Sequence, residues 1–86
     1  MEAQERRLKR LTMRSWRRGM KEMDLILGPF ADTGLAALGA TEIAAYESLL
    51  DENDQDLYLW VSGAAQAPAE HEQILSVVAG FHGIQR

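Results

Sequence analysis

The sequence predicts an all-α fold, a compact single-domain bundle of about five short helices over residues 1–86. Three observations lead there. Apolar residues recur at three- and four-residue spacing in successive stretches, and no stretch alternates as a strand would. Glycine and proline fall between those stretches, at Gly19, Gly28-Pro29, Gly63 and Pro68. A hydrophobic content of 47% is enough for a core and argues against disorder.

The first helix is expected over about Gln4 to Arg17. Leu8, Leu11, Thr12, Ser15 and Trp16 form its inward stripe, and cations occupy the rest of its circumference. Gly19 then interrupts, taking a left-handed backbone so that the next helix starts at an angle. The second helix runs from about Met20 to Leu27 and buries Met20, Met23, Leu27 and Phe30. Gly28-Pro29 ends or kinks it, because Pro29 lacks an N–H and clashes with the preceding turn. Asp32-Thr33-Gly34 reads as a loop, and Leu35 and Leu38 plug the core from an irregular segment.

The third helix spans about Thr41 to Leu50, with Ile43, Tyr46, Leu49 and Leu50 inward. Asp54 is read as the N-cap of the fourth helix, in which Leu57, Trp60 and Val61 face the core and Gly63 is the stop. Pro68 opens the fifth helix at its first position, where Glu70 and Glu72 suit the positive end of the dipole. Ile74, Val77, Val78 and Phe81 make its stripe, and Gly80 and Gly83 let the tail fray.

Charge is segregated along this chain. Eight of nine Lys and Arg residues lie between Arg6 and Lys21, and none occurs from Glu22 to Gln85, where there are eleven Asp and Glu. Soluble domains normally interleave their charges, so a basic arm on an acidic body implies a partner surface. The net charge of −4 makes the whole molecule a poor non-specific binder of nucleic acid. The absence of Cys removes disulfides and thiolate chemistry and fits a reducing compartment. No apolar run reaches the ~20 residues of a membrane-spanning helix, and the basic start leads into no signal-peptide core. It runs without a break into Arg18-Gly19 and is read as part of the first helix, not as a transit peptide.

No catalytic or metal constellation is expected. Asp51, Glu52, Asp54 and Asp56 miss the register of a calcium loop and read as a solvated turn with a cap. His71 and His82 stand alone and read as surface histidines. Ser15 and Ser48 have no placed His–Asp pair. Where the charge changes sign, Arg17, Arg18, Gly19, Glu22 and Asp24 form a candidate recognition patch. Arg18 offers a planar fork of donors, and Gly19 a spot where another protein can approach closely. A plain helix–helix corner explains the same residues: Gly for the turn, Glu22 for the dipole and the arginines as a solvated face. The alternative function is a small regulatory or antitoxin-like module whose basic first helix binds nucleic acid.

Arg18-Gly19-Met20-Lys21-Glu22 resembles the R-G-x-x-E signature of the SdhE-type flavinylation factors, the small assembly proteins of succinate dehydrogenase. Ser15-Trp16, Lys21 to Leu25, Leu27-Gly28 and Phe30-Ala31-Asp32 look like the same stretch of its bacterial members. Tyr46-Glu47, Leu49-Leu50, Asp54, Asp56-Leu57-Tyr58 and Trp60 resemble its third and fourth helices. The similarity is strongest over residues 6–63. Pro29, Gly39 and Thr33-Gly34 depart from the residues common there.

The resemblance implies a five-helix domain that binds the flavoprotein subunit of succinate dehydrogenase, and often that of fumarate reductase. It implies promotion of covalent FAD attachment to a histidine of that subunit without bond-making chemistry of its own. Arg18, Gly19 and Glu22, with Arg17 and Asp24 beside them, become the expected client-binding residues. The expected cofactor complement is none, since the FAD is held by the client. A monomer in a bacterial cytoplasm, with the mitochondrial matrix as the less favoured alternative, no nucleic-acid partner and no membrane insertion, completes the expectation.

Overall fold

The computed structural model describes residues 2–85. Its elements are α1 (Glu2–Trp16), α2 (Lys21–Gly34), a 3₁₀ turn over Leu35–Ala37, α3 (Ala40–Leu49), α4 (Asp54–Val61) and α5 (Ala69–Phe81), with no strand among the described residues. α1 lies along α2, and α5 packs against α2, α3 and α4. The core is one cluster contributed by every helix. Leu11, Met23, Leu27, Phe30, Tyr46, Leu49, Leu57, Val61, Ile74, Leu75 and Val78 are all fully buried in it. Phe30 anchors it, its ring 5.4 Å from Tyr46 and edge-on to Phe81 at 5.5 Å.

α2 corrects the sequence reading. It does not stop at Leu27 but runs through Pro29 and takes in Asp32-Thr33-Gly34. An interior proline removes one helical hydrogen bond and costs ~3 kcal/mol. Two features offset it. Gly28 has no Cβ to clash with the proline ring, so the residue before Pro29 keeps helical geometry. Continuing the helix also buries Phe30, Ala31 and, just beyond it, Leu35, at ~1.5–3 kcal/mol for each large side chain. The hydroxyl of Thr33 donates to the Pro29 carbonyl at 3.0 Å. Gly28 also lets the Trp16 indole lie on α2: a Cβ there would stand 2.4 Å from two indole carbons. Trp16, expected inward, is 40% exposed and donates from Nε1 to Asp32 at 3.1 Å.

The caps correct three further expectations. Asn53, not Asp54, caps α4, its side chain accepting from the Asp56 N–H at 2.9 Å. Pro68 is the cap of α5, one residue before the helix. The tail is tied back instead of fraying. Gly83 adopts φ 69°, and Ile84 N–H donates to Ala79 at 2.8 Å, a Schellman closure that packs Ile84 on the core. His82, expected free on the surface, donates to the Ile26 carbonyl at 2.6 Å. α3 carries half of a capping box: Glu42 accepts from the Gly39 N–H at 3.1 Å.

Among the described residues no helix is long and apolar enough to cross a membrane. No buried side-chain nitrogen or oxygen among them lacks a hydrogen-bond partner.

Candidate functional site

The residues singled out in the sequence gather at the corner between α1 and α2. The first turn of α2 leaves backbone N–H groups unpaired, and its cap residue, Met20, has no side-chain oxygen to offer. Two aspartates instead hold the backbone that leads into the helix. Asp24 accepts from the Arg18 N–H at 2.6 Å, and Asp54 Oδ2 reaches across from α4 to accept from the Met20 N–H at 2.9 Å.

Arg18 locks this corner to the turn between α3 and α4. Its Nε donates to Asp54 Oδ1 at 2.7 Å, and its two terminal nitrogens donate to the carbonyls of Leu50 and Glu52, each at 2.9 Å. Leu50 is the C-cap of α3, so a cation meets carbonyls at the negative end of that helix. The fork expected to meet a carboxylate or carbonyl of a client is filled by the chain's own groups. The Arg18 and Asp54 side chains are only 10% and 9% exposed.

Gly19 is not left-handed; the described glycines with positive φ are Gly63 and Gly83. Its requirement is space. A Cβ there would lie 3.2 Å from Asp54 Oδ2, an atom already held by the Met20 N–H. Asp24 is half-buried and occupied with Arg18. Glu22 and Arg17 are exposed, and neither side chain has a partner among the described residues. The corner thus joins Arg18, Gly19, Asp24 and Asp54 in one framework and leaves Arg17 and Glu22 facing outward from it.

Beneath the corner lies a polar pair that the sequence did not announce. Tyr46, fully buried, shares a 2.6 Å hydrogen bond with Ser15, whose hydroxyl also donates to the Leu11 carbonyl. Burial pushes the Tyr46 phenol up from 10.0 to about 12. His71 is likewise a correction. It is 2% exposed, donates from Nε2 to the Glu52 carboxylate at 2.9 Å, and stacks at 5.8 Å on Trp60. Glu52 therefore ties the start of α5 to the turn that Arg18 grips.

The acidic run is spent in the same way. Asp51 pairs with Arg14, Glu52 with His71, Asp54 with Arg18 and Asp56 with Asn53. On the outer side of α1, Arg10, Met13, Arg14, Arg17 and Arg18 line an open hollow of about 290 Å³. Of its residues, the sequence singles out Arg17 and Arg18 as client-binding candidates and leaves Arg10 and Arg14 on the outer circumference of the helix. The signal available was their 10, 13, 14, 17 spacing, one side of a helix. Arg18 and Asp54 neutralise each other under cover and fix the corner against α4.

Comparison with known proteins agrees with the resemblance in the sequence. Residues 9–82 match the family described as flavinator of succinate dehydrogenase. Succinate dehydrogenase assembly factor 2-B, mitochondrial, of Drosophila mojavensis is 36% identical over 80 residues, which cover 91% of this chain and 51% of that protein. Succinate dehydrogenase assembly factor 2, mitochondrial, of Dictyostelium discoideum is 37% identical over 71 residues, 81% of this chain and 50% of the relative. The protein of the same name from Penicillium rubens is 43% identical over 53 residues, 62% of this chain and 17% of the relative. The chain spans about half the length of these relatives, or less. No solved structure matches.

The relatives' names correct the expected location: they point to mitochondria and overturn the bacterial cytoplasm. A cysteine-free sequence fits any reducing compartment, so composition had no means of separating the two.

Proposed function

We propose, because the chain belongs to the flavinator of succinate dehydrogenase family, that it is a non-catalytic assembly factor for that enzyme's flavoprotein subunit. In this reading it binds the subunit and promotes covalent attachment of FAD to one of its histidines. The observation that carries the reading is the family match over residues 9–82, which spans the whole α1–α2 corner. A factor of this kind acts by binding one conformation of its client more tightly than the others, which raises the population of that conformation. Such selection needs a surface that does not itself rearrange. The Arg18–Asp54 lock supports this, since it fixes Gly19 and the exposed Glu22 and Arg17 against α3 and α4.

The roles differ within the signature. Glu22 and Arg17 are the contact residues, with the bare backbone at Gly19 between them. Arg18 and Asp24 hold the corner in shape. The factor holds no FAD itself, and it works as a monomer; the fumarate reductase flavoprotein is a second client.

The test is covalent flavin fluorescence of the succinate dehydrogenase flavoprotein on a denaturing gel. The client is produced alone, with this protein, and with its Glu22→Ala variant. A bright band with the native chain, dimmed by Glu22→Ala at unchanged helicity, is expected. Equal bands in all three lanes would overturn the reading. Loss of folding in Glu22→Ala would assign that residue to the corner's framework instead.

A further inference from the structure

We propose that the hollow lined by Arg10, Met13, Arg14, Arg17 and Arg18 binds an acidic peptide segment of another protein, and that Asp51 holds its place in the free chain. The hollow shares Arg17 with the client contact proposed above, but it stands on its own geometry and charge.

The argument begins with the helix. Positions 10, 13, 14 and 17 share one side of α1, so Arg10, Arg14 and Arg17 stand three or four residues apart. Like charges at that spacing repel and weaken a helix. Within the chain they are hardly compensated. Arg18 is spent on Asp54, and Arg14 meets Asp51 at 2.8 Å. Arg10 and Arg17 are exposed, with no ion-pair partner among the described residues. None of Arg10, Arg14 and Arg17 is buried in the core. The fold does not need this cluster, and an incoming anion would relieve it.

The Arg14–Asp51 pair says which anion. It is exposed, at 38% for Arg14 and 74% for Asp51, and such pairs contribute little stability. A carboxylate arriving from a partner can take the place of Asp51 on Arg14 with the same charge-assisted geometry, Asp51 swinging out into solvent. Flanking carboxylates then meet Arg10 and Arg17. Met13, 54% exposed, offers an adaptable apolar contact between them. Phosphate also suits guanidinium groups, but it brings no apolar atoms to cover the exposed Met13, as a peptide side chain does.

The experiment is an NMR titration of the isotopically labelled full chain with a short synthetic peptide of alternating Glu and Leu. Inorganic pyrophosphate and an RNA duplex are titrated separately. Saturable shifts at residues 10–18 and at Asp51 are expected, lost in the Arg10→Ala/Arg17→Ala double variant. Both changes are at exposed positions, and circular dichroism checks that the helices persist. Asp51→Asn is expected to tighten peptide binding about threefold, as removal of a competing charge should.

No binding, or shifts spread equally over Lys9 and Lys21 and unchanged in the double variant, would overturn the proposal. So would pyrophosphate or RNA binding more tightly than the peptide. Weaker or unaltered binding by Asp51→Asn would remove the place-holder. The titration contains no flavoprotein, so its failure and a failure of the proposed function are distinguishable.

Discussion

Arg18 and Asp54 are 36 residues apart in sequence and 2.7 Å apart in space, each nearly covered by the other and by its surroundings. One side chain lies just past α1, the other opens α4, and between them they also hold the cap N–H of α2 and the carbonyls of Leu50 and Glu52 in the turn after α3. The most recognisable arginine of the sequence is therefore a framework residue.

Arg18→Ala should unfold or severely destabilise the domain. It strands Asp54 and two carbonyls in a covered site, and breaking such a pair from one side costs about 3–5 kcal/mol. Arg18→Lys should rescue little, because an ammonium cannot reproduce the three-way fork. Thermal unfolding of both variants tests this; a native melting temperature in Arg18→Ala would refute it.

Gly19→Ala should destabilise by about 1–2 kcal/mol, through crowding of a carboxylate that cannot retreat. Glu22→Ala, at an exposed and unpartnered position, should change stability by less than about 0.5 kcal/mol. Urea titration of the two variants side by side separates framework from surface.

Gly28→Ala should cost about 1–3 kcal/mol, because the new methyl and the Trp16 indole need the same space. Trp16→Ala should cost stability alone and yet relieve the Gly28→Ala defect. A double-mutant cycle by calorimetry should give a clear favourable coupling; additive losses would show that the indole does not rest on Gly28.

Stability should fall in alkali through Tyr46. Its folded-state phenol is raised to about 12 from 10.0. The folded chain thus keeps a proton that the unfolded chain has released. The contribution is complete below pH 10 and is lost as pH rises toward 12, a total of about 2–3 kcal/mol. Tyr46→Phe should flatten that part of the stability profile, while lowering stability at neutral pH by leaving Ser15 with one partner fewer. Chemical denaturation at pH 7, 10 and 11 measures both effects.

What local periodicity and punctuation encode could be read directly: the helix count, the inward faces of Leu11, Met23, Leu27, Ile43, Tyr46, Leu57, Val61, Ile74 and Val78, and the stop at Gly63. These follow from the 3.6-residue repeat and from the backbone freedom of glycine, which act within a few residues. The family signature was legible for the same reason, as a short contiguous string.

Which residues of that string are covered was decided elsewhere in the chain. Arg18 looks like a free fork until Leu50, Glu52 and Asp54 arrive from the far side of the molecule. His71 looks like a surface residue until Glu52 and Trp60 cover it. Pro29 looks like a helix end until Phe30, Ala31 and Leu35 find a core worth more than the lost hydrogen bond. In each case local propensity is worth a few kcal/mol at most. Contacts between residues 19 to 36 positions apart are invisible to it, and it is those contacts that decide which charge is buried and which is left exposed.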